Sequence, residues 1–132
     1  MRKVPQQGPG AEELVAAAVR TLADKKGLDP VVLDVRGLCG FADYFLIVSG
    51  ASRRQVLALA DYLLQALKEV GGRPLGTEGL EEGSWVLLDF NDVVIHLLSP
   101  ALREFYNLEG LWSEAHRPPL EQFLGAAPPP PS

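Results

Sequence analysis

Four aspartates, Asp34, Asp43, Asp89 and Asp92, fall at or near the ends of apolar runs, where α/β folds gather their ligand sites. Carboxylates so placed can hold Mg²⁺ for phosphoryl or nucleotidyl transfer, and Asp89 with Asp92 would carry that chemistry. Ser49-Gly50, just ahead of a helical pattern, resembles the start of a phosphate-binding turn, because free N–H groups there attract anions. The signature goes no further. No glycine-rich loop ends in Lys-Ser or Lys-Thr, and no G-x-G-x-x-G is present. Capping and turn duty is the simpler role for these residues.

His96 lies inside "VVIHLL", on the face of Val94 and Leu98 and opposite Val93, Ile95 and Leu97. A lone histidine in such a strand is ordinarily a hydrogen-bonded packing residue. A Ser49–His96–Asp89 triad can be written down, but no nucleophile-elbow pattern supports it. His116 and a single Cys39 complete the soft-ligand inventory, which argues against zinc. No catalytic residue, metal or cofactor is therefore assigned. Arg53 and Arg54 stand at a helix start, poorly placed for its dipole. Phosphate contact, pairing with Asp43 or plain solvation all remain open to them.

The elements that would position these groups follow from pattern and size. The chain of 132 residues is one domain's worth, able to bury roughly two thirds of its unfolded surface. A net charge of -5 with 12 basic residues does not suggest a dominant phosphate-binding face. One cysteine rules out an internal disulfide. The opening "MRKVPQQGPG" lacks the apolar stretch of a signal peptide, and no run reaches the ~18 apolar residues of a membrane span. The expected location is the cytoplasm.

"AEELVAAAVRTLADKKG" reads as a helix stopped by Gly27 in the left-handed conformation. Pro30–Val35 and Tyr44–Gly50 read as strands, the second apolar throughout and hence covered on both faces. Ser52 caps a long helix, with Gln55 completing a capping box, and Gly71-Gly72 end it. "RPLGTEG" is a weak strand. Trp85–Phe90 and Val93–Leu98 form a hairpin around Asn91 and Asp92. Ser99 and Pro100 begin a last helical piece. The fold class is α/β: a single domain with one mixed sheet of about five strands packed with helices. Residues 11–116 form the domain, between a flexible lead-in (1–10) and a proline-rich flexible tail (117–132).

The decapeptide "REFYNLEGLW" gathers Phe105, Tyr106 and Trp112 from a chain with 2 Trp, 3 Tyr and 5 Phe. Leu102, Phe105 and Tyr106 face one way on a helix from Pro100. Leu108, Leu111 and Trp112 make a second set after Asn107. One amphipathic helix needs a single stripe; bulky groups on two bearings suit an interface, where Trp, Tyr and Arg are the usual anchors. Trp85, opening a strand after "LEEGS", can join them at the surface.

"ADYFLIVSG" with "SRRQV", then "SWVLLDFNDVVIHLLSP", then "REFYNLEGLW" resemble the ribosomal silencing factor family, also called Iojap-like proteins, from about Leu14 to Trp112. Asp43 and Tyr44 match its Asp-Tyr before the second strand. Ser49, Gly50, Ser52 and Arg53 match its Ser-Gly and helix start, and Glu78 and Gly79 its Glu-Gly before the Trp strand. Trp85, Asp89, Asp92 and His96 match the following strands, and Arg103, Tyr106, Leu108, Glu109, Leu111 and Trp112 the closing motif. Ala51 replaces a usual polar residue and Asn91 a usual glycine, the latter mildly, since Asn tolerates a left-handed turn.

The resemblance implies a binding protein rather than an enzyme, on a fold related to nucleotidyltransferases without their working active site. It implies a translational repressor that binds the fourteenth protein of the large ribosomal subunit and blocks joining of the small one. It also implies a homodimer when free. A minor contact with ribosomal RNA stays open, and no membrane is involved. Trp85, Asp89, Asp92, His96, Arg103, Tyr106, Leu108, Glu109, Leu111 and Trp112 would form or support the contact. The alternative is the Mg²⁺-dependent transferase using Asp89 and Asp92; a general RNA-binding module comes third.

Overall fold

The computed structural model describes residues 9–124. Along the chain come α1 (Ala11–Asp24), β1 (Leu28–Asp34), β2 (Tyr44–Ser49), α2 (Arg53–Glu69) and β3 (Gly76–Glu78). They are followed by β4 (Trp85–Asp89), β5 (Val93–Leu98), α3 (Pro100–Tyr106), α4 (Leu108–Leu111) and α5 (Leu120–Leu124). The five strands form one mixed sheet in the order β1-β2-β5-β4-β3, in which only β2 and β5 run parallel. β2 is buried along its whole length, as its unbroken apolar run requires. The hairpin β4–β5 turns at Asn91, whose φ is +74°.

One sheet face is sealed by α1 and α2. Leu14, Ala18 and Leu22 of α1 and Val56, Leu59, Leu63 and Leu67 of α2 pack with Leu46, Val48, Leu88 and Ile95. Ser52 caps α2, its Oγ accepting from Gln55 N–H at 3.1 Å, and Gln55 Oε1 accepts from Ala51 N–H. The reciprocal half of the capping box thus lands one residue early. At the other end Gly71 N–H donates to Lys68 O and Gly72 N–H to Leu67 O, with Gly71 at φ +93°. That is a Schellman closure.

Two expectations are corrected. The left-handed residue after α1 is Lys26, at φ +64°, not Gly27. Gly27 is small for another reason: a Cβ there would press on Val48 and Leu22. The tail expected from 117 is not free along its described part. α5 packs on α1 and buries Phe123, 3 % exposed, edge-on to Tyr44 with ring centroids 6.3 Å apart. Two apolar residues one turn apart, Leu120 and Phe123, suffice to dock this short helix, and the prolines before it only set its entry. Residues 1–8 of the lead-in and 125–132 of the tail lie outside the described residues.

Candidate functional site

The second sheet face is covered only in part. Strand alternation directs Phe45, Ile47, Trp85, Leu87, Val94, His96 and Leu98 to this side, and α3, α4 and the segment to Ala115 lie over them. α3 starts where Ser99 Oγ accepts from Leu102 N–H at 3.1 Å, with Pro100 in its first turn. It stops at Asn107, which takes the left-handed conformation at φ +49°. The Asn107 side chain then accepts from Gly110 N–H at 3.2 Å, so one residue closes α3 and caps α4. The chain therefore changes direction between Tyr106 and Leu108, and the aromatic groups point along two bearings.

Arg103 holds that corner. It is 8 % exposed; Nη1 donates to Ser49 Oγ at 3.1 Å and to Leu28 O at 3.4 Å. Nε and Nη2 donate to Glu109 Oε1 and Oε2 at 3.2 and 2.9 Å. The fork tethers α4 to α3, and both to the ends of β1 and β2. The guanidinium keeps the Glu109 carboxyl below its ordinary pKa of 4.5, so this contribution to stability is complete above that value. It is lost as pH falls through the lower, folded-state pKa. Acid unfolding of Glu109→Gln is accordingly shallower than that of the wild-type chain in this range, as circular dichroism at stepped pH would record.

A strip of rings crosses the face. Phe105 stacks edge-on to Tyr106 at 4.9 Å, and Tyr106 lies 5.1 Å from Trp85. Trp85 lies 6.0 Å from His96, which lies 6.1 Å from Phe45. Phe45 meets Trp112 at 5.0 Å and Phe41 at 6.0 Å. Phe45 is buried, whereas Phe105, Tyr106 and Phe41 are 77 %, 49 % and 67 % exposed, and Leu111 is 70 % exposed. An internal spine thus carries exposed rings at both ends. Trp85 Nε1–H donates to His96 Nδ1 at 3.2 Å, which satisfies the polar edge of the half-buried indole.

Trp85 is also held from behind. Gly79 sits at φ +82°, and a Cβ on it would strike the Trp85 carbonyl oxygen. Gly79→Ala is expected to lower stability by about 2 kcal/mol or more, through backbone strain and collision together. Urea unfolding followed by tryptophan emission measures it.

The other singled-out residues serve elsewhere. Asp89 Oδ1 accepts from Asn91 N–H at 2.8 Å, and Asp92 Oδ1 accepts from Asn91 Nδ2 at 3.5 Å. The Asp92 carbonyl accepts from Asp43 N–H and Tyr44 N–H. Tyr44 faces α1, donating to Glu12 at 3.4 Å, and burial raises its pKa. Gly50 N–H donates to Leu98 O, and a Cβ there would collide with Val56. Arg53 Nε donates to Glu82 O at 2.7 Å, not to Asp43. Glu78 is exposed on edge strand β3. Leu108, the first residue of α4, is buried.

Ser49, His96 and Asp89 are each engaged with a different partner, so no triad forms. Among the described residues no three His, Cys, Asp or Glu side chains gather where they could hold a metal ion; Asp89 ends β4 and Asp92 lies in the turn before β5. No helix among them is long and apolar enough to cross a membrane. Phe41 and Phe45 belong to the strip but were not singled out from the sequence. An aromatic inside the glycine-bearing loop "RGLCGFAD", and one alternating with Tyr44 onto the opposite face, were the available signals.

The fold and face together define a small α/β domain that carries an aromatic surface on one side of its sheet. Residues 9–130 match the family model described as "Ribosomal silencing factor during starvation". The "Ribosomal silencing factor RsfS" of Chromobacterium violaceum is 42% identical over 101 residues, 76% of this chain and 83% of that protein. A crystal structure of a C. violaceum protein superposes with a TM-score of 0.77 at 39% identity, covering 84% of this chain and 92% of the other. The mouse "Mitochondrial assembly of ribosomal large subunit protein 1" is 35% identical over 115 residues, 82% of this chain and 50% of that protein. The chain belongs to the ribosomal silencing factor family.

Proposed function

We propose that this chain represses translation by binding the fourteenth protein of the large ribosomal subunit and standing where the small subunit must dock. It is a regulatory protein, not an enzyme. The observation that carries the contact is the strip itself, with Phe105 and Tyr106 exposed beside a half-buried Trp85. Exposed rings backed by packed ones are what interface anchors look like. The ribosomal relatives support the partner class, and the mouse protein's name speaks of the large subunit.

Asp89, Asp92, Arg103 and Glu109 border or brace the patch. Ribosomal proteins are mostly basic, so a net charge of -5 favours approach and register. A specific interface buries about 1,600 Å² in total, and a domain of this size can supply one partner's half. No bond is made or broken: the body excludes the small subunit by volume. The free protein is a cytoplasmic homodimer in this account, and contact with ribosomal RNA is minor. Co-sedimentation with separated subunits and with joined ribosomes tests the proposal. The chain should travel with large subunits and leave small subunits and joined ribosomes bare. Equal recovery on all three, or affinity for naked RNA that falls steeply with salt, would count against it.

A further inference from the structure

Granting the docking role given above to the aromatic strip, we propose that His96 is a positioning residue for Trp85. Its unprotonated Nδ1 pins the indole in the docking orientation, so that protonation there loosens attachment to the large subunit. An indole nitrogen only donates, so the 3.2 Å contact requires Nδ1 to accept and leaves the ring's proton on Nε2. Protonated imidazole has donors at both nitrogens. The indole N–H would then face another donor, and Trp85, half-buried at the head of β4, is free to turn outward. Pinning matters because a side chain already fixed loses less freedom on docking.

The ring's surroundings leave this hydrogen bond as its specific polar tie. Ile47 and Leu87 are its cross-strand neighbours, and Phe45 meets it edge-on. The titratable groups on the elements over this face are committed elsewhere or, like Glu104 on α3, exposed. Asp89 on β4 accepts from Asn91. Arg103 on α3 and Glu109 on α4 hold one another. The Tyr106 ring lies tilted against Trp85, and Glu114 is exposed beyond α4. Burial, with no charged neighbour contributing, lowers the His96 pKa below its ordinary 6.5. The neutral form therefore prevails at neutral pH, and the change falls on the acid side.

The test uses the full chain labelled with ¹⁵N. In the isolated protein the Trp85 indole N–H resonance, assigned by its loss in Trp85→Phe, is followed from neutral to mildly acidic pH. One titration with a midpoint below 6.5 is expected. It should vanish in His96→Asn, whose side-chain oxygen offers a non-titrating acceptor near the place of Nδ1; His96→Leu, similar in volume and unable to titrate, gives the same readout if that variant does not fold. Wild-type affinity for large subunits should weaken about tenfold over the same transition, the scale of one lost hydrogen bond, while the affinity of His96→Asn, whatever its level, should not change with pH. A Trp85 resonance indifferent to pH, or one that still titrates in His96→Asn, overturns the proposal with no ribosome in the tube. An affinity that ignores the titration overturns it too. If Trp85→Ala also binds fully, the docking reading has failed rather than the role of His96 alone.

Discussion

Tyr106→Ala and Trp85→Ala are each expected to weaken attachment to isolated large subunits by about 2–3 kcal/mol, roughly 30- to 150-fold in Kd. The size reflects what each ring does. Tyr106 is half exposed and touches both Phe105 and Trp85, so its loss removes anchor area and lets the neighbouring ring relax. Its own share in the fold is small, and Tyr106→Ala should unfold near the wild-type midpoint. Trp85 pairs with Leu98 at the strand mouth and stabilises the hairpin as well, so its alanine variant loses some stability besides. Titration of labelled chain onto large subunits, with circular dichroism on the same samples, separates the two effects. Full affinity in both folded variants would move the contact elsewhere on the surface.

Arg103→Ala produces the second large effect, and it is one of architecture. Removing the guanidinium takes its donor from Ser49 Oγ and Leu28 O and its counter-charge from Glu109. Breaking a buried pair from one side costs about 3–5 kcal/mol. Because Glu109 retains access to water, about 3 kcal/mol is expected here. Denaturant unfolding gives this figure. Hydrogen exchange should show where it goes: amides of α4 and of residues 112–115 lose protection while those of β2 and α2 keep theirs. Arg103→Lys recovers only part, since an ammonium cannot span Ser49 and grip both Glu109 oxygens at once. Uniform loss of protection over the whole chain would mean that Arg103 holds the global fold rather than this corner.

Much of the architecture was legible in the residues. The helical spacing of Val56, Leu59, Leu63 and Leu67, the unbroken run of β2 and the Asn91 turn gave elements whose order and types hold. Their limits were less legible. β1 begins at Leu28, ahead of Pro30, because a bulge between Leu28 and Val31 lets the strand pass Asp29 at φ +48°, and local propensity carries no trace of that pairing. α5 was hidden by the prolines around it; what docks it is Phe123 on α1 and Tyr44, a contact across the length of the chain.

The site divides in the same way. Tyr106 and Trp112 could be suspected because rings crowded a segment too short to bury them all. Their continuity with Trp85 through His96 and Phe45 depends on β4, β5 and β2 lying side by side, which spacing along the chain does not state. Arg103 stands out in the sequence as part of a motif, but its clamp on Ser49 joins residues 54 positions apart. Asp89 and Asp92 suggested chemistry by their place at strand ends, and the turn they build accounts for them.

The most direct measurement follows light scattering as small subunits are mixed with large subunits carrying a saturating amount of this protein. Scattering should fail to rise, in proportion to the fraction of large subunits occupied, and should recover with Tyr106→Ala. A normal rise, with sedimentation showing the wild-type chain still bound at full occupancy, would contradict exclusion of the small subunit by volume.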